Sequence, residues 1–236
     1  MGRAFEYRKA AKMKRWGMMS RVFPKLGKRI TSAAKDGGSD PEMNPSLRTA
    51  IQNAKAANMP KDNIIAAIKR ASSSDYKSLT DVNYEGKGPH GVLVFVECAT
   101  DNTTRTVANV KSYFNKAGGA IVPTGSLEFM FERKAIFELV KTDDLDMEEL
   151  EFELIDAGLE EIEEVDDQYI VTADYKSFGK LTLAIEAMKI EINKSILERF
   201  PTSPVSYTEE QMVDIDKMLE KLHDDDDVQE IFTNIK

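Results

Sequence analysis

Cationic and aromatic side chains dominate the stretch FEYRKAAKMKRWGMMSRVFPKLGKR, residues 5–29, in which nine of 25 residues are Lys or Arg and only Glu6 is acidic. Ammonium and guanidinium groups neutralise phosphates, and rings such as Phe5 and Trp16 stack on bases. The chemistry available here is the binding of a polyanion, strongly salt-dependent and largely blind to base sequence. Residues 1–71 hold 16 Lys/Arg against 5 Asp/Glu, whereas residues 72–236 hold 16 against 36, and the whole chain has a formal charge of −9. Such a split describes a basic head on an acidic body.

Other chemistry finds less material. The chain has two histidines, His90 and His223, and neither stands in a motif with a nucleophile. Cys98 is the only cysteine, so no internal disulfide forms, which fits a reducing cytoplasm; within a strand pattern it reads as buried. We expect no catalysis, no metal and no cofactor. Gly86-Lys87-Gly88-Pro89-His90-Gly91 matches G-x-G-x-x-G by letter, but a dinucleotide site needs a helix after that loop. Here a second strand follows, so the glycines are expected to serve a turn. Thr100-Asp101-Asn102-Thr103-Thr104-Arg105 stands where a strand gives way to a helix, and helix capping is favoured there over a phosphate site. Between Thr142 and Tyr175 lie fifteen Asp/Glu and no Lys or Arg, and Asp224–Asp227 form a second acidic run. Both are expected to be solvated faces. An acidic face also repels nucleic acid and suits basic proteins.

These groups must be positioned by elements of two kinds. The first 71 residues follow helical periodicity. From Arg21 to Lys35, Val22, Phe23, Leu26, Ile30, Ala33 and Ala34 form one stripe, and Arg21, Lys25, Lys28, Arg29 and Lys35 form the opposite one. Pro24 places the start of that helix near Arg21, with the proline in its first turn. Asn44-Pro45 is an N-cap and N1 pair for a helix reaching about Asn58, with Leu47, Ala50, Ile51 and Ala54 inward. A further helix carries Ile64, Ile65, Ile68 and Ala71. Residues 6–16 lack a clean apolar stripe and suit an arm that orders on binding.

After residues 72–81 the pattern becomes α/β. Strands are expected at 82–85, 92–98 and 126–131, with a helix at 103–116. A second unit then reads strand 134–140, helix 146–157, strands 159–165 and 168–173, helix 177–189 and strand 190–198, the split-βαβ order. A helix at 208–223 and a strand at 228–233 close the chain. The fold class is therefore α+β, an N-terminal helical domain followed by two α/β (ferredoxin-like) domains, the second inserted in the first. The expected domains are 1–77, 78–133 plus 201–236, and an inserted acidic 134–200. The longest apolar run, Val92–Val96, is too short to span a bilayer, and no secretory signal is evident.

Several stretches together resemble the YebC-type family, which includes mitochondrial translational activators of cytochrome oxidase. They are RKAA (8–11), RVFPKLGKRITSAAKDGGSDPEMNPSLRTAIQNAKAANMPKDNIIAAIKRA (21–71), YEGKGPHGV (84–92), ECATDNTTRT (97–106), KAGGAIVPTGSLEFMFERKA (116–135) and KLHDDDDVQEIFTNI (221–235). The opening differs: relatives carry a Gly-His-Ser-Lys-Trp run where this chain has MGRAFEY, so contacts made through that run do not carry over.

The resemblance implies a cytoplasmic, non-enzymatic regulator of gene expression that binds DNA in transcription, or alternatively a ribosome-associated translation factor that relieves stalling at sequences such as proline runs. Candidate phosphate contacts are Arg8, Lys9, Lys12, Lys14, Arg15, Arg21, Lys25, Lys28 and Arg29, followed by Lys55, Lys61, Lys69 and Arg70. The expected partners are nucleic acid at the basic head and basic proteins at the acidic insertion, with no membrane and a monomer favoured. No helix carries an evident base-reading set, so direct sequence readout is not expected.

Overall fold

Helix α1, Met19–Gly37, sets the geometry of the N-terminal segment. The computed structural model describes residues 19–73, 78–142 and 145–236. Pro24 is the sixth residue of α1 rather than part of a first turn beginning at Arg21. It is exposed, so the donor that proline lacks falls on the solvent side, where water can satisfy the freed carbonyl.

Ile30, Thr31 and Ala34 are the buried stripe of α1, and the Thr31 hydroxyl lies 2.8 Å from Gly27 O and 2.9 Å from Ala67 O. One side chain thus ties α1 to helix α3, Lys61–Arg70. Between them runs α2, Pro45–Ala56, whose N-cap Asn44 accepts from Leu47 N at 3.1 Å. The same buried Asn44 donates to Ala33 O and Gly38 O at 2.7 and 2.8 Å, closing the C-terminal end of α1. The Asn44-Pro45 pair therefore starts one helix and caps another. Leu47 and Ala54 are buried on α2. On α3 the buried residues are Ile64 and Ala67, while Ile65 is exposed. The core between these helices is thin, and an alanine lets the backbones approach where an isoleucine would hold them apart.

Contacts sort the chain into two compact units: Leu26–Ser72 joins Arg133–Arg199, and Ser73–Glu132 joins Phe200–Lys236 together with α1 up to Lys25.

The second of these units holds a sheet of order β3-β1-β2-β8. Strands β1 (Thr80–Lys87) and β2 (Leu93–Thr100) form an antiparallel hairpin, β3 (Ala120–Val122) flanks β1 and β8 (Val228–Thr233) flanks β2. The Gly-rich stretch is the hairpin turn, closed by Gly88 N donating to Val92 O at 2.8 Å. Helices α4 (Thr103–Lys116) and α7 (Glu209–His223) cover the sheet. Val92, Val94, Val96 and Cys98 pack there with Val110 and Phe114 of α4 and with Ile215, Met218, Leu219 and Leu222 of α7. The alternate residues Leu93 and Phe95 join Leu127, Phe131 and Phe232 in a smaller cluster, as the two-residue period of a strand requires.

The strand expected at 126–131 is not formed: a 3₁₀ turn occupies Glu128–Met130 and the strand of this region is β3. The buried Glu85 carboxylate takes the amides of Gly125 and Leu127, so these backbone donors serve a side chain instead of a strand ladder.

The inserted sheet is built from β4 (Phe131–Val140), α5 (Met147–Ile155), β5 (Leu159–Val165), β6 (Gln168–Asp174), α6 (Phe178–Ala187) and β7 (Ile192–Pro201). Its order, β5-β6-β4-β7, is that of a ferredoxin-like βαββαβ unit. Ala135, Phe137 and Leu139 of β4 and Val171 of β6 meet Leu150 and Leu154 of α5 and Leu181 and Ile185 of α6 in its core. The fold is α+β, with a helical N-terminal domain and two α/β domains, the second inserted in the first.

Candidate nucleic-acid interface

Arg8, Lys9, Lys12, Lys14 and Arg15 lie outside the described residues, as does the arm-like stretch 6–16. The remaining sequence candidates divide into two groups. Arg21, Lys25, Lys28 and Arg29, on α1, are half-buried. Arg21 pairs with Asp224, and Lys25, Lys28 and Arg29 are each engaged in an interaction of their own. Lys55, Lys61, Lys69 and Arg70 are exposed, and among the described residues no carboxylate pairs with them. The more accessible cations are thus on α2 and α3, not on the α1 stripe where helical periodicity puts them most clearly.

The exposed set is spread over helix ends. Lys55 is in the last turn of α2, Lys69 and Arg70 in the last turn of α3, and Lys35 in the last turn of α1. Cations there complement the partial negative charge of the helix C-terminus. Their charged ends remain in water and are free to meet phosphate oxygens. Arg70 also runs beside Gly27, where an added Cβ would come within 3.0 Å of its Nη2, so the glycine leaves room for the guanidinium.

Two residues that sequence reasoning missed fix the helical layer to the inserted sheet. Arg48 of α2 makes a fork-like pair with Glu186 of α6, Nε to Oε1 at 2.7 Å and Nη2 to Oε2 at 3.0 Å, and donates to Pro41 O at 2.8 Å. The hydrogen bond to Glu186 raises the Arg48 pKa above its ordinary value. Asn53 of α2 donates to Ser195 O at 2.7 Å and accepts from Ser195 N at 2.9 Å, so its amide behaves as one more rung of β7. Neither residue has a local signal, because each partner lies about 140 residues away. Arg48 is therefore occupied structurally, while Lys55, two residues beyond Asn53 and so on the other side of α2, is exposed.

The strand-to-helix turn at 100–105 acts as a cap and not as a phosphate cradle. Asn102 accepts from Arg105 N at 3.0 Å, and the Arg105 Nη2 is held by Asp227 at 2.7 Å and Asp101 at 2.9 Å. The Thr100 and Thr106 hydroxyls sit 3.0 and 2.9 Å from the same Asp227 oxygen. Asp225 takes hydrogen bonds from Asn109 at 3.1 Å, Tyr113 at 2.9 Å and Asp227 N at 2.9 Å. Asp225 and Asp227 are buried, which corrects the expectation of a solvated face for the whole 224–227 run; Asp224 and Asp226 do remain exposed. The reason is the alternation of the run, which turns every second carboxylate toward α4, where hydroxyl, amide and guanidinium donors satisfy it. Burial, and next the bond to Asp225, push the Tyr113 phenol up to about 12.

The fold and the charge distribution define a class, an α+β chain with a basic helical head and an acidic ferredoxin-like insertion, and among the described residues no helix is long and apolar enough to cross a membrane. Comparison with known proteins narrows the class. The family profile "TACO1/YebC protein N-terminal domain" matches residues 3–74, and "TACO1/YebC second and third domain" matches residues 79–235. The chain belongs to the TACO1/YebC family. It is 65% identical over its full length, and that of the relative, to a "Probable transcriptional regulatory protein" of Sulfurimonas denitrificans. It is 62% identical, again over the full length of both, to "Probable transcriptional regulatory protein WS1016" of Wolinella succinogenes. The crystal structure of the conserved hypothetical protein Aq1575 from Aquifex aeolicus superposes with a TM-score of 0.72 at 35% identity, covering 93% of this chain and 91% of that one.

Proposed function

We propose that this protein is a non-enzymatic, nucleic-acid-binding regulator of gene expression that works in the cytoplasm and contacts duplex DNA through its helical N-terminal domain. The observation that carries the reading is the exposure of Lys55, Lys61, Lys69 and Arg70 on a segment holding 16 Lys/Arg against 5 Asp/Glu. Phosphate neutralisation is the interaction such cations make with the least geometric demand, and the acidic remainder of the chain turns the basic head toward a polyanion. The names of the relatives as transcriptional regulatory proteins favour DNA as the target.

A second reading, a ribosome-associated factor that binds structured RNA and relieves stalling, is favoured by one feature. The exposed face of α3 offers Lys61, Asp62, Asn63, Ile65, Ala66, Lys69 and Arg70, in which cations at the ends flank small and apolar residues instead of a base-reading row. Such a face suits the backbone of any folded nucleic acid.

Crosslinking in cells with sequencing of the recovered DNA and RNA separates the readings. Enrichment of chromosomal segments is the outcome expected of the first, and enrichment of ribosomal RNA with co-sedimentation of ribosomes belongs to the second. Recovery of neither above background overturns both.

A further inference from the structure

Helix α5 buries Leu150 and Leu154 and turns Glu148, Phe152 and Ile155, spaced i, i+4 and i+7, to the opposite side. Phe152 is 77% exposed and Ile155 55% exposed. Neighbouring α6 packs beside α5 on the same sheet and leaves Leu183 66% exposed. Glu149, Glu151, Glu153 and Asp156 are exposed around the α5 stripe. Two large apolar side chains side by side on an outer helix face and rimmed by carboxylates form the kind of patch that marks a protein-binding surface.

We infer that the outer face of α5 is a docking surface for a cationic amphipathic segment of a partner protein, one that places apolar side chains on Phe152 and Ile155 and Lys or Arg against the surrounding glutamates. Charge decides among occupants. No Lys or Arg occurs between Thr142 and Tyr175, so the face repels nucleic acid and anionic membrane alike. A second copy of the chain would set two acidic rims against each other, an arrangement that like charges disfavour. Among the described residues no group of three or more His, Cys, Asp or Glu is arranged to hold a metal ion, so these carboxylates act as a field and not as ligands. What remains is a basic segment with apolar residues at helical spacing, read by i, i+4 and i+7 anchors. The inference is independent of the nucleic-acid reading, because it uses neither the helical head nor its cations.

The test uses the full chain and a fluorescent 18-residue Lys/Leu peptide of amphipathic helical pattern, with a scrambled Lys/Leu isomer of equal charge, both titrated by anisotropy. The amphipathic peptide should bind at least tenfold more tightly than the scrambled one. F152S/I155S should remove that preference, and E149Q/E151Q/E153Q should weaken both peptides and flatten the salt dependence. F152S/I155S, which leaves every charge in place, should bind nucleic acid as the parent does, which separates failure here from failure of the proposed function. Equal binding of the two peptides, or an unchanged preference in F152S/I155S, overturns the inference. A dimer in sedimentation that F152S/I155S abolishes also overturns it, in favour of self-association. Since all substituted side chains are exposed, thermal unfolding should be unaltered; if the serine variant fails to fold, the glutamine variant decides, and an unchanged affinity and salt dependence for the amphipathic peptide in it overturns the inference.

Discussion

Arg48 and Glu186 meet through two hydrogen bonds of 2.7 and 3.0 Å although 138 residues separate them in the chain. Their side chains are 26% and 28% exposed, between the regime of a surface pair and that of a buried one. Arg48→Ala should therefore destabilise the chain by about 1 kcal/mol in urea unfolding, and Glu186→Ala by a similar amount. A double-mutant cycle should return a coupling of roughly 0.5–1 kcal/mol, and Arg48→Lys should recover little, because lysine cannot bridge both carboxylate oxygens.

Asp227 is the buried acceptor for Thr100, Thr106 and Arg105. Asp227→Ala removes the buried acceptor that two hydroxyls share, while Arg105 keeps Asp101, and should cost about 2 kcal/mol, visible as a lowered urea midpoint at constant slope. Asp226→Ala, at an exposed position of the same run, should stay within about 0.5 kcal/mol.

Tyr113 keeps its proton to about pH 12 in the folded chain, because burial disfavours the phenolate and its hydroxyl donates to Asp225. The unfolded phenol titrates near pH 10. Between those values the folded state holds more protons than the unfolded one. The stabilisation is complete below pH 10 and is lost as pH rises toward 12. Stability measured over that window should fall less steeply in Tyr113→Phe, and absorbance titration should lose one late-titrating tyrosine.

Gly86 lies under the ring of Phe114, where an added Cβ would come within 2.4 Å of the ring carbon Cε1. Gly86→Ala should destabilise by about 1–3 kcal/mol through overpacking, and Phe114→Leu in the same chain should relieve part of the loss. Urea unfolding of both variants checks this.

Local patterns made much of this architecture legible in advance. The helix at 103–116 with its Asn102 cap, the Asn44-Pro45 start of α2, the hairpin across the glycine-rich turn and the βαββαβ order all follow from short-range rules of capping and periodicity. The misreadings share another cause. Residues 126–131 carry a strand-like pattern, yet Glu85, some 40 residues earlier, takes the amides a strand would use. Asp225 and Asp227 belong to a charge run that normally stays in water, but α4 presents donors to every second carboxylate. For the candidate interface, helical periodicity separates Lys25, Lys28 and Arg29 from the apolar stripe, but it cannot report that each is already engaged. Only the tertiary arrangement distinguishes them from the exposed Lys55, Lys61, Lys69 and Arg70.

The central claim, that exposed cations of α2 and α3 contact nucleic-acid phosphates, is tested most directly by the salt dependence of binding. Parent and K55Q/K61Q/K69Q/R70Q chains should be titrated with duplex DNA and with a folded ribosomal RNA fragment across a range of salt concentrations. Each lost contact on a duplex should reduce the slope of log K against log[salt] by about 0.9, with affinity at low salt falling at least tenfold and little difference between duplexes of unrelated sequence. The same affinity and slope in both chains would contradict the account.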